Sequence, residues 1–187
     1  MNKFQSAKTF VKKLYGNNNI VLTNVWIGGT MMFFGEITAQ IIRKKFEKEN
    51  YNANKTVQMF GIGSMTNFYQ HFYYVYLDKY FIRNSYNNLF IKVILDEVLI
   101  APSSCFIYLT TSGYLETYSI SNALEKLKTH FLEIYTTDLC VWPILQFINF
   151  KFVPLTYRLT YISIFSFFWN VFMCFIDLHK NQVLPIH

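Results

Sequence analysis

Charge is what this sequence has least of. Asp, Glu, Lys and Arg together make up 15% of its 187 residues, where a soluble domain carries about 25%. Apolar side chains fill the gap at 52%, aromatic ones at 20%. A chain of this length has enough residues for one ordinary core, but too little charge to coat it, so lipid is the expected solvent for much of its surface. Cysteine is limited to Cys105, Cys140 and Cys174. They are far apart, without a CxxC pair or a histidine cluster, so neither a zinc site nor a disulfide framework is expected and they read as small apolar fillers. No Gly-rich phosphate loop and no nucleophile elbow occurs, and neither a cofactor nor an enzymatic activity is expected. Repeats and Gly- or Ser-rich linkers are also missing, which leaves a single domain over 1–187. The net charge of +6 comes from lysines and arginines scattered between apolar blocks. They form no basic face for nucleic acid, and anionic lipid headgroups suit them better.

What the chain does have is apolar length. Residues 1–18 come first, with no acid before Glu36 and with Phe4, Ala7, Val11 and Leu14 at helical spacing among Lys3, Lys8, Lys12 and Lys13. That pattern predicts a basic amphipathic helix at a membrane surface. Four apolar stretches follow, at about 20–42, 56–77, 89–111 and 155–176. A run of about 22 residues, at about 1.5 Å each, covers a hydrocarbon layer of about 30 Å. A fifth stretch, 139–153, is too short for a full crossing and is interrupted by Pro143 and closed by Pro154. It reads as a proline-broken helix before the last span. Gly113 to His130 is polar enough to lie outside the bilayer, with Ser121 to Ile134 as an interfacial helix. The expected fold is therefore an all-α polytopic membrane bundle of four transmembrane helices, or five if the broken stretch counts. Basic residues divide almost evenly between the two sides of such a bundle, so the positive-inside rule leaves orientation open.

Polar residues inside the spans carry the functional signal, because a charge at mid-bilayer costs about 2.5–3.5 kcal/mol on insertion scales and needs a partner or water. Ser64, Asn67, His71, Tyr74 and Asp78 recur three and four apart and form one helical stripe, with Phe60, Met65, Phe72 and Tyr76 on other faces. The stripe suits the wall of a wet pathway and, equally, interhelical hydrogen bonding. Glu36 and Gln40 lie one turn apart beside a small-residue face of Gly28, Gly35 and Ala39. Lys92 and Asp96 are also one turn apart and are expected to neutralise each other. Pro102 deprives the carbonyl of Val98 of its helical donor. Backbone freed by Pro143 and Pro154 is tolerated at bilayer depth only where protein or a wet cavity satisfies it, and Gln146 and Asn149 share the face that does so. Lys151 and Arg158 snorkel or reach Glu36 and Asp96 across the bundle. His71 lacks a second ligand at a useful spacing, so no metal site is expected.

These residues also carry a resemblance. WPILQFINFKFVPLTYR, from Trp142 to Arg158 with Trp169-Asn170 following, resembles the C-terminal signature of the Mpv-seventeen / peroxisomal membrane protein family. GEITAQ from Gly35 to Gln40 is similar to that family's Gly-acid-x-x-x-Gln; His71, Tyr74 and Leu77-Asp78 to its His-x-Trp-Tyr-x-x-Leu-Asp; Lys92, Asp96 and Pro102 to its third-span pattern. Departures are Asn67-Phe68 for Gly-Pro, Tyr73 for Trp, Glu97 for Gln, and Lys55 with Gln58 where two arginines are usual. The resemblance spans roughly Gly28 to Asn170. It implies a small four-span protein of the mitochondrial inner or the peroxisomal membrane, in a family that includes pore-formers of low selectivity and proteins that affect nucleotide supply. The expected function is channel-like passage of small hydrophilic metabolites along Glu36, Gln40, Asn67, His71, Lys92, Asp96, Gln146, Asn149 and Arg158, with Gly35, Pro102, Trp142, Pro143, Pro154 and Trp169 as structural motif. The alternatives are a non-conducting membrane scaffold and a substrate-specific transporter. The expected partners are the bilayer and small solutes; self-association into a homo-oligomer is left open.

Overall fold

A computed structural model of the chain describes residues 14–16, 19–48, 50–81 and 85–183, with side chains described as far as 175. Apart from residues 14–16, the expected amphipathic segment 1–18 lies outside the described residues. The described residues are helical throughout their regular structure, without a strand. Helix α1 is Ile20–Glu47 and α2 is Ala53–Tyr80. Helix α3, Tyr86–Leu95, passes through a π-helical turn, Asp96–Ile100, into α4, Ala101–Thr117. Helices α5, Ile120–Phe152, and α6, Leu155–Val183, complete the order.

Glycine fixes the first crossing. A Cβ at Gly28 would run into the side chain of Asn67, and one at Gly63 would lie 2.6 Å from the Gly28 carbonyl oxygen and 2.7 Å from Met32 Cγ. Without side chains at these points the α1 and α2 backbones come into direct contact, as small residues permit between helices in lipid. The rest of the small face of α1 serves another neighbour. Gly35 faces Asn170 of α6, and Ala39, wholly buried, accepts on its carbonyl a hydrogen bond from Cys174 Sγ at 3.4 Å. Asn67 pairs with Asn24 and Gln40 with Thr56, so α2 runs antiparallel to α1; the Asn170 and Cys174 contacts make α6 parallel to it.

Two prolines act differently. Val153, the residue before Pro154, is extended at φ −94° and ψ 123°, and α5 ends there; the ring of a following proline disfavours helical backbone in this way. Pro143, expected to break the same stretch, sits inside a continuous helix of 33 residues. Tertiary packing overrides it. The N-terminal half of α5, expected outside the bilayer as a separate helix, lies along α4, where a Cβ at Gly113 would meet Ala123 Cα at 3.0 Å and Cys105 bonds to the Phe131 carbonyl. The polar turn is confined to the two residues between Thr117 and Ile120, where Tyr118 takes a left-handed φ of 53°.

Pro102 also corrects the sequence reading. In the π-helical turn the Ala101 amide bonds five residues back to the Asp96 carbonyl, so the carbonyl that the Pro102 nitrogen would have met in this register is that of Glu97, not Val98. Tyr135 Oη donates to Glu97 O at 3.0 Å and satisfies it.

The outside of the bundle is apolar. Ile41, Val57, Phe72, Ile94, Ile144 and Phe168 are all exposed, while Glu36, Asn67, Asp96, Gln146 and Asn149 are buried. This inverts the arrangement of a water-soluble protein. By length and composition, α1 and the Leu155–Phe175 part of α6 are apolar enough to cross a membrane.

The crossing predicts the response to substitution. Gly63→Leu should lower detergent-solubilised thermal stability, since overpacking commonly costs about 1–3 kcal/mol. Gly61→Ala, in open space, should leave stability unchanged or raise it by up to about 1 kcal/mol. Equal melting of the two variants would contradict the crossing.

Candidate functional site

Three polar clusters occupy three levels of the bundle. At one end, Asp78 Oδ1 accepts from Lys92 Nζ and from Arg158 Nη1, each at 2.6 Å. Arg158 Nε also donates to the Val153 carbonyl at 3.1 Å, and its guanidinium lies over the Phe150 ring at 5.3 Å. The proline elbow between α5 and α6 is thereby locked to α2. The expected Lys92 and Asp96 pairing is not formed: Lys92 reaches back to α2 instead, because a four-carbon stem prefers the carboxylate nearer the bundle's end. Arg158 likewise meets neither Glu36 nor Asp96. Lys151 is exposed, with its ammonium 5.1–5.4 Å from the Tyr86, Phe147 and Phe152 ring centroids.

At the other end, Glu36 Oε1 accepts from Arg43 at 2.7 Å and Gln40 Nε2 at 3.1 Å, with Lys55 Nζ at 3.9 Å. Gln40 also holds the backbone of the α1–α2 loop, accepting from Asn52 N at 2.7 Å and donating to Asn52 O at 3.1 Å. Here Gln40 is a loop clamp.

The middle level is uncharged except for carboxylates. Gln146 Nε2 donates to Tyr74 Oη at 2.8 Å and Asp96 Oδ2 at 2.7 Å, while its Oε1 accepts from Asn149 Nδ2 at 3.0 Å. Asn67 Nδ2 donates to Asn24 O and to Ser163 Oγ; Asn24 Nδ2 donates to His71 Nδ1 at 3.0 Å. The stripe of α2 therefore faces inward, with His71 used as a hydrogen-bond acceptor. Among the described residues no group of three His, Cys, Asp or Glu could hold a metal ion.

Between the middle level and the Glu36 end lies a cavity of about 360 Å³. Of the residues expected along a pathway it is lined by Glu36, Asn67, Asp96 and Gln146, with Trp142 and Trp169; the two indoles meet edge to face at 6.0 Å. Gln40, His71, Lys92, Asn149 and Arg158 do not line it, nor do Gly35, Pro102, Pro143 and Pro154, whose roles are in packing and backbone geometry. Sequence reasoning missed Gln70, Ser104, Asp138, Ser163 and Asn170, which do. Gln70 was within reach, three residues after Asn67 on the same stripe. Arg43, Lys55, Glu116 and Lys126 line the outer part, where Lys126 and Glu116 pair at 2.8 Å and remain partly exposed. Toward the other end the cavity stops at a packed layer of Tyr74, Leu77, Val93, Phe150, Leu159 and Ile162.

Comparison with known proteins now bears on what such a bundle is. The profile of the Mpv17 / PMP22 family matches residues 113–174. The "PXMP2/4 family protein 4" of Dictyostelium discoideum is 31% identical over 134 residues, 72% of this chain and 72% of that protein. The chain belongs to the Mpv17 / PMP22 family. Two further family members are the "Protein SYM1" of Saccharomyces cerevisiae, 27% identical over 176 residues and 88% of each chain, and the "Mitochondrial inner membrane protein Mpv17" of Caenorhabditis briggsae, 36% identical over 92 residues, 49% of this chain and 51% of that one. No solved structure matches. The family is one of mitochondrial or peroxisomal membrane proteins. The stretch matched by the family profile runs from the end of α4 through α5 into α6, and so contains the Trp142 and Trp169 contact, Gln146, Asn149 and the Arg158 elbow.

The elbow gives a ranked prediction for stability in detergent. Asp78→Ala strands two cations, whereas Lys92→Met leaves Asp78 paired with Arg158. Breaking a buried pair costs about 3–5 kcal/mol, an upper bound here because the Asp78 side chain is 24% exposed. Asp78→Ala should lower the melting temperature more than Lys92→Met; the reverse order would contradict the shared carboxylate.

Proposed function

We propose that this protein is a channel-like component of the mitochondrial inner membrane, with the peroxisomal membrane as the alternative, that lets small hydrophilic metabolites pass through its helical bundle. Its five rods, α1, α2, α3 with α4, α5 and α6, alternate in direction, so each is assigned a crossing, one more than the four-span expectation. The single observation that carries the reading is a cavity with a polar wall, Gln70, Asn67, Ser104, Ser163 and Gln146, enclosed by helices whose outer faces are apolar. A polar wall of that kind is stable in lipid only with water or a polar solute inside.

Its one-sidedness favours a second reading, a gated transporter for one solute. For either, the Tyr74 to Ile162 layer must open, and Phe150 is its largest apolar member, with the Arg158 guanidinium over its ring. Purified protein in vesicles loaded with a small neutral tracer should release it faster than empty vesicles. Phe150→Ala should speed release by about tenfold, equal to about 1.4 kcal/mol off the barrier. Saturation of flux with tracer concentration would favour the transporter. Vesicles that stay as tight as protein-free ones to neutral and to cationic tracers alike, with both proteins, would contradict passage and leave a membrane scaffold.

A further inference from the structure

The inner part of the cavity offers no cation, and of the unpartnered buried atoms that line the cavity two are acceptors, on Asp96 and Gln70, and one is a donor, Asn170 Nδ2. Asp96, 3% exposed, is bonded through Oδ2 to Gln146 and lies within hydrogen-bonding reach of the Tyr74 hydroxyl, while Oδ1 is without a partner among the described residues. Gln70, 6% exposed, donates Nε2 to Ser104 Oγ at 3.3 Å, which turns the amide so that Oε1 is also unpartnered. Asp138 accepts from Trp142 Nε1 at 3.1 Å. All three line the cavity. Glu97, close to both Asp96 and Asp138, has neither carboxylate oxygen partnered, so charge on one of these carboxyls disfavours charge on its neighbour. The cations that line the cavity are at its outer part and are already paired, Arg43 and Lys55 with Glu36 and Lys126 with Glu116.

We infer that this inner part is a binding site for a small monovalent organic cation carrying N–H donors, an ammonium or guanidinium group, seated on Asp96 Oδ1, Gln70 Oε1 and the Asp138 carboxylate. A carboxyl withdrawn from water either keeps its proton or ionises beside a counter-charge, and hydrogen bonds to the ionised form must come from donors. A carboxylate and an amide oxygen together suit N–H groups, which point in several directions from one cationic centre. Neutral solutes supply donors but no charge, and anions are repelled. About 360 Å³ holds such an ion with several waters, each of about 30 Å³. The inference rests on the reading of the cavity as the solute path and names the solute class; binding itself is measurable whether or not the protein conducts.

Guanidinium and urea are the probes, since they share size and planar shape and differ in charge. Equilibrium dialysis of the full chain in detergent should show saturable binding of labelled guanidinium, displaced by methylammonium and not by urea. Asp96→Asn should weaken it by about tenfold or more, the usual scale for a hydrogen bond to a charged group. Asp138→Asn, whose amide oxygen still accepts from Trp142, and Gln70→Leu should weaken it too, and thermal unfolding identifies any variant that has not folded. In vesicles, guanidinium should leave faster than urea and the ratio should fall toward one in the same variants. Absence of saturable binding, with the cavity holding water only, overturns the site even if urea and guanidinium both leave the vesicles. Binding that is lost in the variants, in a protein whose vesicles stay tight to both probes, upholds the site and overturns conduction. Equal binding by the wild-type protein and the three folded variants overturns it as well.

Discussion

Gln146 is the side chain on which the interior depends. Its amide reaches Tyr74 on α2, Asp96 at the π-helical turn and Asn149 on its own helix α5. In lipid there is no hydrophobic force to hold helices together, so packing and bonds of this kind must do it, and a buried polar group left unmatched costs more than the bond is worth. A bidentate amide at mid-depth fixes the rotation of three rods at once. The π turn follows from the same constraint: it places Asp96 where Gln146 can reach it and shifts the orphaned carbonyl of the proline step to Glu97, where Tyr135 is waiting.

The levels then divide the labour. Paired charge sits at the two ends, Asp78 with Lys92 and Arg158 at one and Glu36 with Arg43 and Lys55 at the other, where long side chains can reach headgroup depth. Between them the small residues Gly28, Gly63, Gly35 and Ala39 draw α1 against α2 and α6. Helices held that closely on one side leave space on the other. There α4 and α5 form the opposite wall, and the cavity opens between the two groups with Trp142 and Trp169 across it. The apolar layer from Tyr74 to Ile162 keeps that cavity from running through to the Asp78 cluster.

Much of this was readable from the residues, because lipid enforces a strict pattern. The inward stripe of α2 was legible: polar side chains at spacings of three and four can share one face and escape the hydrocarbon only by turning inward. The break at Pro154 was legible for a local reason, the clash of its ring with Val153. Pro143 was not, since whether a helix continues through proline depends on the packing around it in the assembled bundle. Nor were the partners of Lys92 and Arg158, whose flexible stems choose among several carboxylates by distances that only the assembled bundle sets. Asp138 went unnoticed for a related reason: a lone polar residue becomes a cavity wall only when the facing helix leaves room.

A buried polar cavity reached from the Glu36 end is the central claim, and thiol accessibility tests it most directly. With Cys105, Cys140 and Cys174 replaced, Ser104→Cys would be exposed in sealed vesicles to a small charged, membrane-impermeant methanethiosulfonate from each side separately. Rapid modification from the side bearing Arg43 and Lys55, with little from the side bearing Asp78, is the predicted result. Modification from neither side, or no faster than at a lipid-facing Ile144→Cys, would contradict it.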